Sequence, residues 1–166
     1  MRRSLATDIA LGAAAGAAAT WLMDRTTTAL YEREPKPVKD RENKARGGRT
    51  AFEIAAERGA DLIDAKLDDD LRKEAGTAIH WSVGIAAGAA YGALRHKLPM
   101  RVGSGLAFGT AFWLAVDEAA NTLLKLTPSP RAFPWQTHAR GLAGHVVHGS
   151  AVESVFDVAD LISARS

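Results

Sequence analysis

Four stretches of this chain carry no formal charge: residues 9–23, 77–94, 102–116 and 141–152. Each is rich in Ala and Gly, and nearly all the Lys, Arg, Asp and Glu fall between them, most densely over residues 24–74. Such segregation restricts the chain to folds in which four helices are apolar nearly all round, either a core bundle or a set of membrane spans. Length does not separate the two, because three of the stretches have only 12 to 15 residues, which suits a core helix as well as a span. The spacing of small residues favours the membrane. Gly12 and Gly16, then Gly84, Gly88 and Gly92, then Gly105 and Gly109 stand four apart, and Gly141 and Gly144 open the fourth stretch. Glycine inside a helix costs about 1 kcal/mol relative to Ala, so a water-soluble bundle has reason to avoid such ladders. In lipid the same ladders let helix backbones approach closely.

Composition removes several classes. The 166 residues fit one domain over 1–166. The absence of Cys excludes a disulfide framework and a thiolate metal cluster. With 21 basic against 19 acidic residues there is no basic footprint for nucleic acid, which is not expected as a partner. Residues 9–23 follow Arg2 and Arg3 and could pass for a secretory leader, but the helical pattern continues through Trp21, Leu22 and Met23 to Tyr31, so a retained helix is expected.

Along the chain, residues 32–49 hold Pro35, Pro37, Gly47 and Gly48 among charges and read as a solvated connector without regular structure. Thr50 and Glu53 have capping-box spacing, and Phe52, Ala55, Ala56, Gly59, Leu62, Ile63, Leu67 and Leu71 recur at helical intervals. An amphipathic surface helix over about 50–74 follows, with Asp68, Asp69 and Asp70 on its solvated face. Leu98, Pro99 and Met100 make a tight connection, and residues 127–130 (Thr-Pro-Ser-Pro) end the third apolar helix. The expected architecture is all-α: four transmembrane helices over about 8–30, 76–95, 102–126 and 137–162 plus the interfacial helix. Segments 25–75 and 125–140 hold 15 of the 21 basic residues, so the positive-inside rule puts them in the cytoplasm and both termini outside. Trp21, Trp81 and Trp135 read as interfacial anchors or core residues.

The run from Ile79 and His80 through Tyr91 and Gly92, then Gly103 to Leu126, Thr127 and Pro128, then Pro134 and Trp135, and finally Gly144 and His145 up to Glu153 resembles the YagU-like family of bacterial inner-membrane proteins. The resemblance covers residues 79–158. It implies a polytopic protein of the cytoplasmic membrane with a tie to acid tolerance and no established reaction. The charged segment 32–74 and the Ala-rich first helix depart from that family.

Ionisable groups within a span are costly, about 2.5 kcal/mol or more for an Asp at a helix centre, and need a partner or water. The candidates are Asp24, His80, Asp117, Glu118, His145, His148 and Glu153. On a helical wheel His145, His148 and Glu153 share one broad face, whereas Asp117 and Glu118 diverge, so one of these two acids faces the close-packed side and the other does not. Joined with His80, such a cluster either relays protons or holds a divalent cation through nitrogen and oxygen ligands. The alternative is that the same residues only fix helix register as interhelical polar contacts. No phosphate loop, nucleophile elbow, His-Glu-x-x-His or Glu-x-x-His motif is present, so no catalytic residues are assigned and no resident cofactor beyond that cation is expected. The expected partners are the lipid bilayer and, through the glycine ladders, a second copy or another membrane protein. A scaffold role and a water-soluble Ala/Gly-rich bundle are the competing readings.

Overall fold

A computed structural model describes residues 3–97 and 103–165, and among them every regular element is helical. The connection expected at residues 98–100 lies outside the described residues. Helix α1 (Leu5–Arg33) starts where the Ser4 hydroxyl accepts the Thr7 N–H at 3.1 Å, and it stops at Glu34, whose backbone is extended ahead of Pro35. The connector that followed was expected to be irregular, yet it forms α2 (Lys36–Arg46). Its prolines act as starters: Pro35 is the N-cap and Pro37 sits in the first turn, where a missing N–H and a fixed φ are no handicap. Gly47 then closes α2 at φ 62°.

The Thr50 and Glu53 capping box is present in both directions and opens α3 (Ala51–Asp61). The single amphipathic helix expected over 50–74 is instead broken. The chain turns through Asp64 at φ 53°, leaves Leu62 and Ile63 87% and 76% exposed, and restarts at Asp68. That side chain accepts the Leu71 N–H at 2.8 Å, while Asp69 and Asp70 occupy the first turn of α4 (Asp69–Leu94). The Asp triplet is therefore a cap and a dipole partner as well as a solvated patch. Replacing Asp68 by Ala should cost about 1 kcal/mol, read as a lowered Tm with α4 otherwise intact.

The third apolar stretch also departs from a plain helix. Helix α5 (Ser104–Trp113) widens into a π-helical segment (Leu114–Ala120) before one last turn, α6 (Asn121–Leu123). Helix α7 (Trp135–Arg165) follows a short 3-10 turn at Pro130–Ala132.

The long helices run up and down. Helix α1 lies along α4 and α7, α5 lies along α7, and α3 packs on the start of α4. Glycine decides how close they come. A Cβ on Gly12 would sit 2.3 Å from the Gly88 carbonyl oxygen, and one on Gly16 would sit 2.7 Å from that of Gly84. Gly92 meets the Asp8 carbonyl, Gly105 the Gly149 carbonyl and Gly109 the His145 carbonyl in the same way. All seven ladder glycines thus face neighbouring helices of their own chain, so a contact between copies would have to use other surface. Around these crossings Ala15, Ala19, Tyr91, Val152 and Phe156 form the core, with the Tyr91 ring 5.2 Å from Phe108 and 5.7 Å from Phe156.

The antiparallel crossings have a second effect. They bring residues 16, 84, 109 and 145–149 to one level, where His148 Nε2 reaches the Gly84 carbonyl at 3.2 Å. These are the centres of the four uncharged stretches. Ionic groups collect at the two ends. At one end Arg3 binds Asp8 at 2.7 Å and Asp160 at 2.6 Å, His96 binds Asp8 at 3.0 Å, and Arg95 pairs with Asp160. The other end carries α2 and α3.

Candidate functional site

Between the middle level and the α2/α3 end lies a cavity of about 520 Å³ bounded by α1, α3, α4, the π-helical segment and α7. Three carboxylate and imidazole pairs line it. His80 Nε2 is 2.8 Å from Asp24 Oδ1, with the imidazole tilted against Phe52 at 5.2 Å between ring centres. His138 Nδ1 is 2.5 Å from Glu118 Oε1, and its Nε2 donates to the Pro130 carbonyl at 3.0 Å. His145 Nδ1 donates to the Gly141 carbonyl at 2.9 Å and lies 3.7 Å from Asp117 Oδ2, with Phe112 edge-on at 4.7 Å.

The His138 geometry is chemically specific. A carbonyl oxygen only accepts, so Nε2 must carry hydrogen, and a carboxylate facing Nδ1 at 2.5 Å also only accepts. The contact is satisfied when a proton lies between the two, on the ring or on the carboxyl. His138 and Glu118 are therefore joined by a short hydrogen bond that needs one hydrogen between Nδ1 and Oε1.

The sequence candidates divide around this cavity. His80, Asp117, Glu118 and His145 line it together with Asp24. Asp117 and Glu118 were expected to diverge, and the π-helical winding between them and Trp113 is the reason that they do not. Its i→i+5 hydrogen bonds turn the chain more slowly than an α-helix, so consecutive acids stay on the cavity side. His148 and Glu153 do not join. His148 is fully buried at the crossing of α4 and α7 with its Nδ1 unpartnered, and Glu153 lies against Gly105, toward the opposite end of the bundle. The face shared by His145, His148 and Glu153 on a wheel extends over two turns, which is too long for one site. The broad imidazole and carboxylate cluster is thus a smaller cluster around Asp117.

His138 was missed. Only the register of the short connection between α6 and α7 could have found it, since Glu118 and His138 stand 20 apart in sequence and meet across an antiparallel pair. Sequence reasoning also passed over the ion cluster that closes this end. The Arg140 guanidinium donates to both Glu42 oxygens at 2.6 Å, pairs with Glu34 and lies over the Tyr31 ring, while Arg46 and the Thr137 hydroxyl also reach Glu42. Burial would raise the Glu42 carboxyl, but Arg140 and Arg46, with Thr137, outweigh it and hold that group below its ordinary value of 4.5.

Trp81 and Trp113 are cavity walls, and the Trp113 Nε1–H and the Thr122 hydroxyl are buried without a partner. Trp21 and Trp135 are 50% and 70% exposed on the outside. Among the described residues no three His, Asp or Glu side chains converge as metal ligands. Among the same residues α1 alone is long and apolar enough, with a mean hydropathy of 1.3, to cross a membrane on length and composition. The expected set of four spans is thus met by one helix on that measure. No family model, no curated protein and no solved structure matches this chain.

Proposed function

We propose that the chain is an integral protein of the bacterial inner membrane in which α1, α4, the α5 to α6 rod and α7 all cross, and that its carboxylate and imidazole cavity takes up and releases protons. The observation that supports the membrane reading is the common level of the four uncharged stretches. A soluble bundle needs a polar stripe along the outer side of each helix. Here the outward positions between the ionic ends are Ala10, Ala14, Ala18, Trp21 and Leu22 on α1, Ala78, Ser82, Ala86 and Ala90 on α4, and Leu106, Ala107, Ala111 and Leu114 on α5. At 1.5 Å per residue the uncharged belt is about 18 to 27 Å tall. Three of the four stretches are thus well short of a ~30 Å hydrocarbon layer, a mismatch that local thinning of the bilayer accommodates. The other three rods fall short on length or hydropathy for separate reasons: α4 and α7 carry histidines among their small residues, and α5 is ten residues long before it passes into the π-helical segment.

The proton reading is supported by the three imidazole pairs and above all by the short contact between His138 and Glu118. It accords with the resemblance to YagU-like proteins, and we propose tolerance of acid or envelope stress as the setting. Two measurements test it. After carbonate extraction of cell membranes the protein should stay in the pellet, and its release to the supernatant would remove the membrane reading. In a potentiometric titration between about pH 5 and pH 8, His138→Gln should bind fewer protons than the unaltered protein, by up to about one per chain. An unchanged curve in a folded variant would leave these side chains as interhelical contacts only.

A further inference from the structure

The cavity has the dimensions and walls of a small-molecule site. Its volume of about 520 Å³ falls in the ~300–1,000 Å³ range of ligand pockets, far more than a bare ion occupies. Phe52, Trp81, Phe112 and Trp113 supply aromatic walls. The buried indole N–H of Trp113 and the Thr122 hydroxyl have no protein partner, and such groups are met in a functional state by a ligand oxygen or by water.

The charges around it sort by element. Helix α1 contributes Asp24, α2 Arg46, α3 Glu53, and α4 Lys73 and His80. The π-helical segment contributes Asp117 and Glu118, and α7 contributes His138, Arg140 and His145. Arg46 and Arg140 are already engaged by the buried Glu42, Glu53 caps α3, and Lys73 is 60% exposed beside Asp70. That leaves Asp24, Asp117 and Glu118, each opposite one imidazole. Asp24, Asp117 and Glu118 thus bring three carboxyl groups to a space walled by aromatic rings. Carboxylates for charge and aromatic faces for cation–π contact together recognise an organic ammonium group.

We propose that this cavity binds a small organic ammonium ion bearing a hydroxyl or similar oxygen, in exchange for imidazole protons. The inference rests on the proton reading for its charge. The ammonium takes the place of a proton beside Asp117, and its oxygen meets the Trp113 Nε1–H.

Choline is a direct probe, titrated calorimetrically into the purified full-length protein in two buffers of different ionisation enthalpy. Choline should bind about tenfold more tightly near pH 8 than near pH 6 and release close to one proton. Its neutral tert-butyl isostere, with carbon in place of the ammonium nitrogen, should give no binding. Asp117→Asn should weaken choline by about tenfold or more, whereas Asp40→Asn, which alters an exposed carboxylate on α2, should leave affinity unchanged. A choline-dependent rise in Tm provides a second readout of the same differences. Absence of choline binding, or equal binding of the isostere, overturns the ligand class while a normal proton titration keeps the proton reading. Choline binding without proton release supports the ligand class and overturns the proton reading instead.

Discussion

Gly88→Leu should abolish the folded bundle. A Cβ at this position would stand 2.2 Å from the Gly12 carbonyl oxygen and 2.6 Å from the Gly16 Cα, all of it backbone that cannot rotate away. Overpacking against movable side chains costs about 1–3 kcal/mol, so a branched side chain forced against two helix backbones should cost at least about 3 kcal/mol. Thermal unfolding followed by circular dichroism should show the Tm collapse, and Gly88→Ala should fall between the two. The control is Gly59→Ala, where nothing lies within 4 Å of the added Cβ. There the better helix propensity should raise stability by about 0.5–1 kcal/mol. A Gly88→Leu protein that melts like the original would mean that α1 and α4 do not cross at these glycines.

Arg140→Leu should be the second large effect. It removes the guanidinium from Glu42, which is 2% exposed, and from Glu34. Breaking a buried pair on one side costs about 3–5 kcal/mol when the remaining charge is left alone, and because Arg46 and Thr137 still reach Glu42 the loss should fall at the lower end of that range. The pH dependence carries the sign. Because the folded Glu42 carboxyl is held below its ordinary value of 4.5, it stabilises the original protein fully above that value, and the contribution is lost as pH falls through the lower folded value. The variant lacks the part of this contribution that Arg140 supplies. The gap in Tm between the two proteins should therefore be widest near neutrality and narrow below about pH 4.5. A constant gap down to acid pH would show that Arg140 acts through packing on Tyr31 and not through charge.

Legibility differed from helix to helix. The capping box at Thr50 and Glu53, the stop near Pro128 and the long final helix were visible because each depends on residues within a few positions. The failures were also local in origin but tertiary in outcome. Residues 32–49 were read as irregular because Pro35 and Pro37 among charges look like breakers. They became starters once Glu42 had Arg140 and Thr137 to hold α2 against α7. The helix over 50–74 was read as continuous because Leu62, Leu67 and Leu71 kept the period, yet the chain turns at Asp64 and Asp68 caps a new helix. Five of the seven ionisable candidates came to one cavity, and the pairings that define it were not readable. Asp24 with His80 and Glu118 with His138 depend on antiparallel register, and the presence of Asp117 and Glu118 on one side depends on a π-helical turn that no period of 3.6 anticipates.

By itself the sequence determined four helical stretches free of formal charge, joined by connectors too polar to be buried without partners. It also placed glycine where those helices can touch, since steric demand at a crossing is a property of the residue. Only the tertiary structure decided that the four uncharged centres share one level and that the acids and imidazoles below that level meet in pairs around one space. Both follow from how far one helix slides along another, and that is fixed by backbone contacts among residues that are distant in sequence.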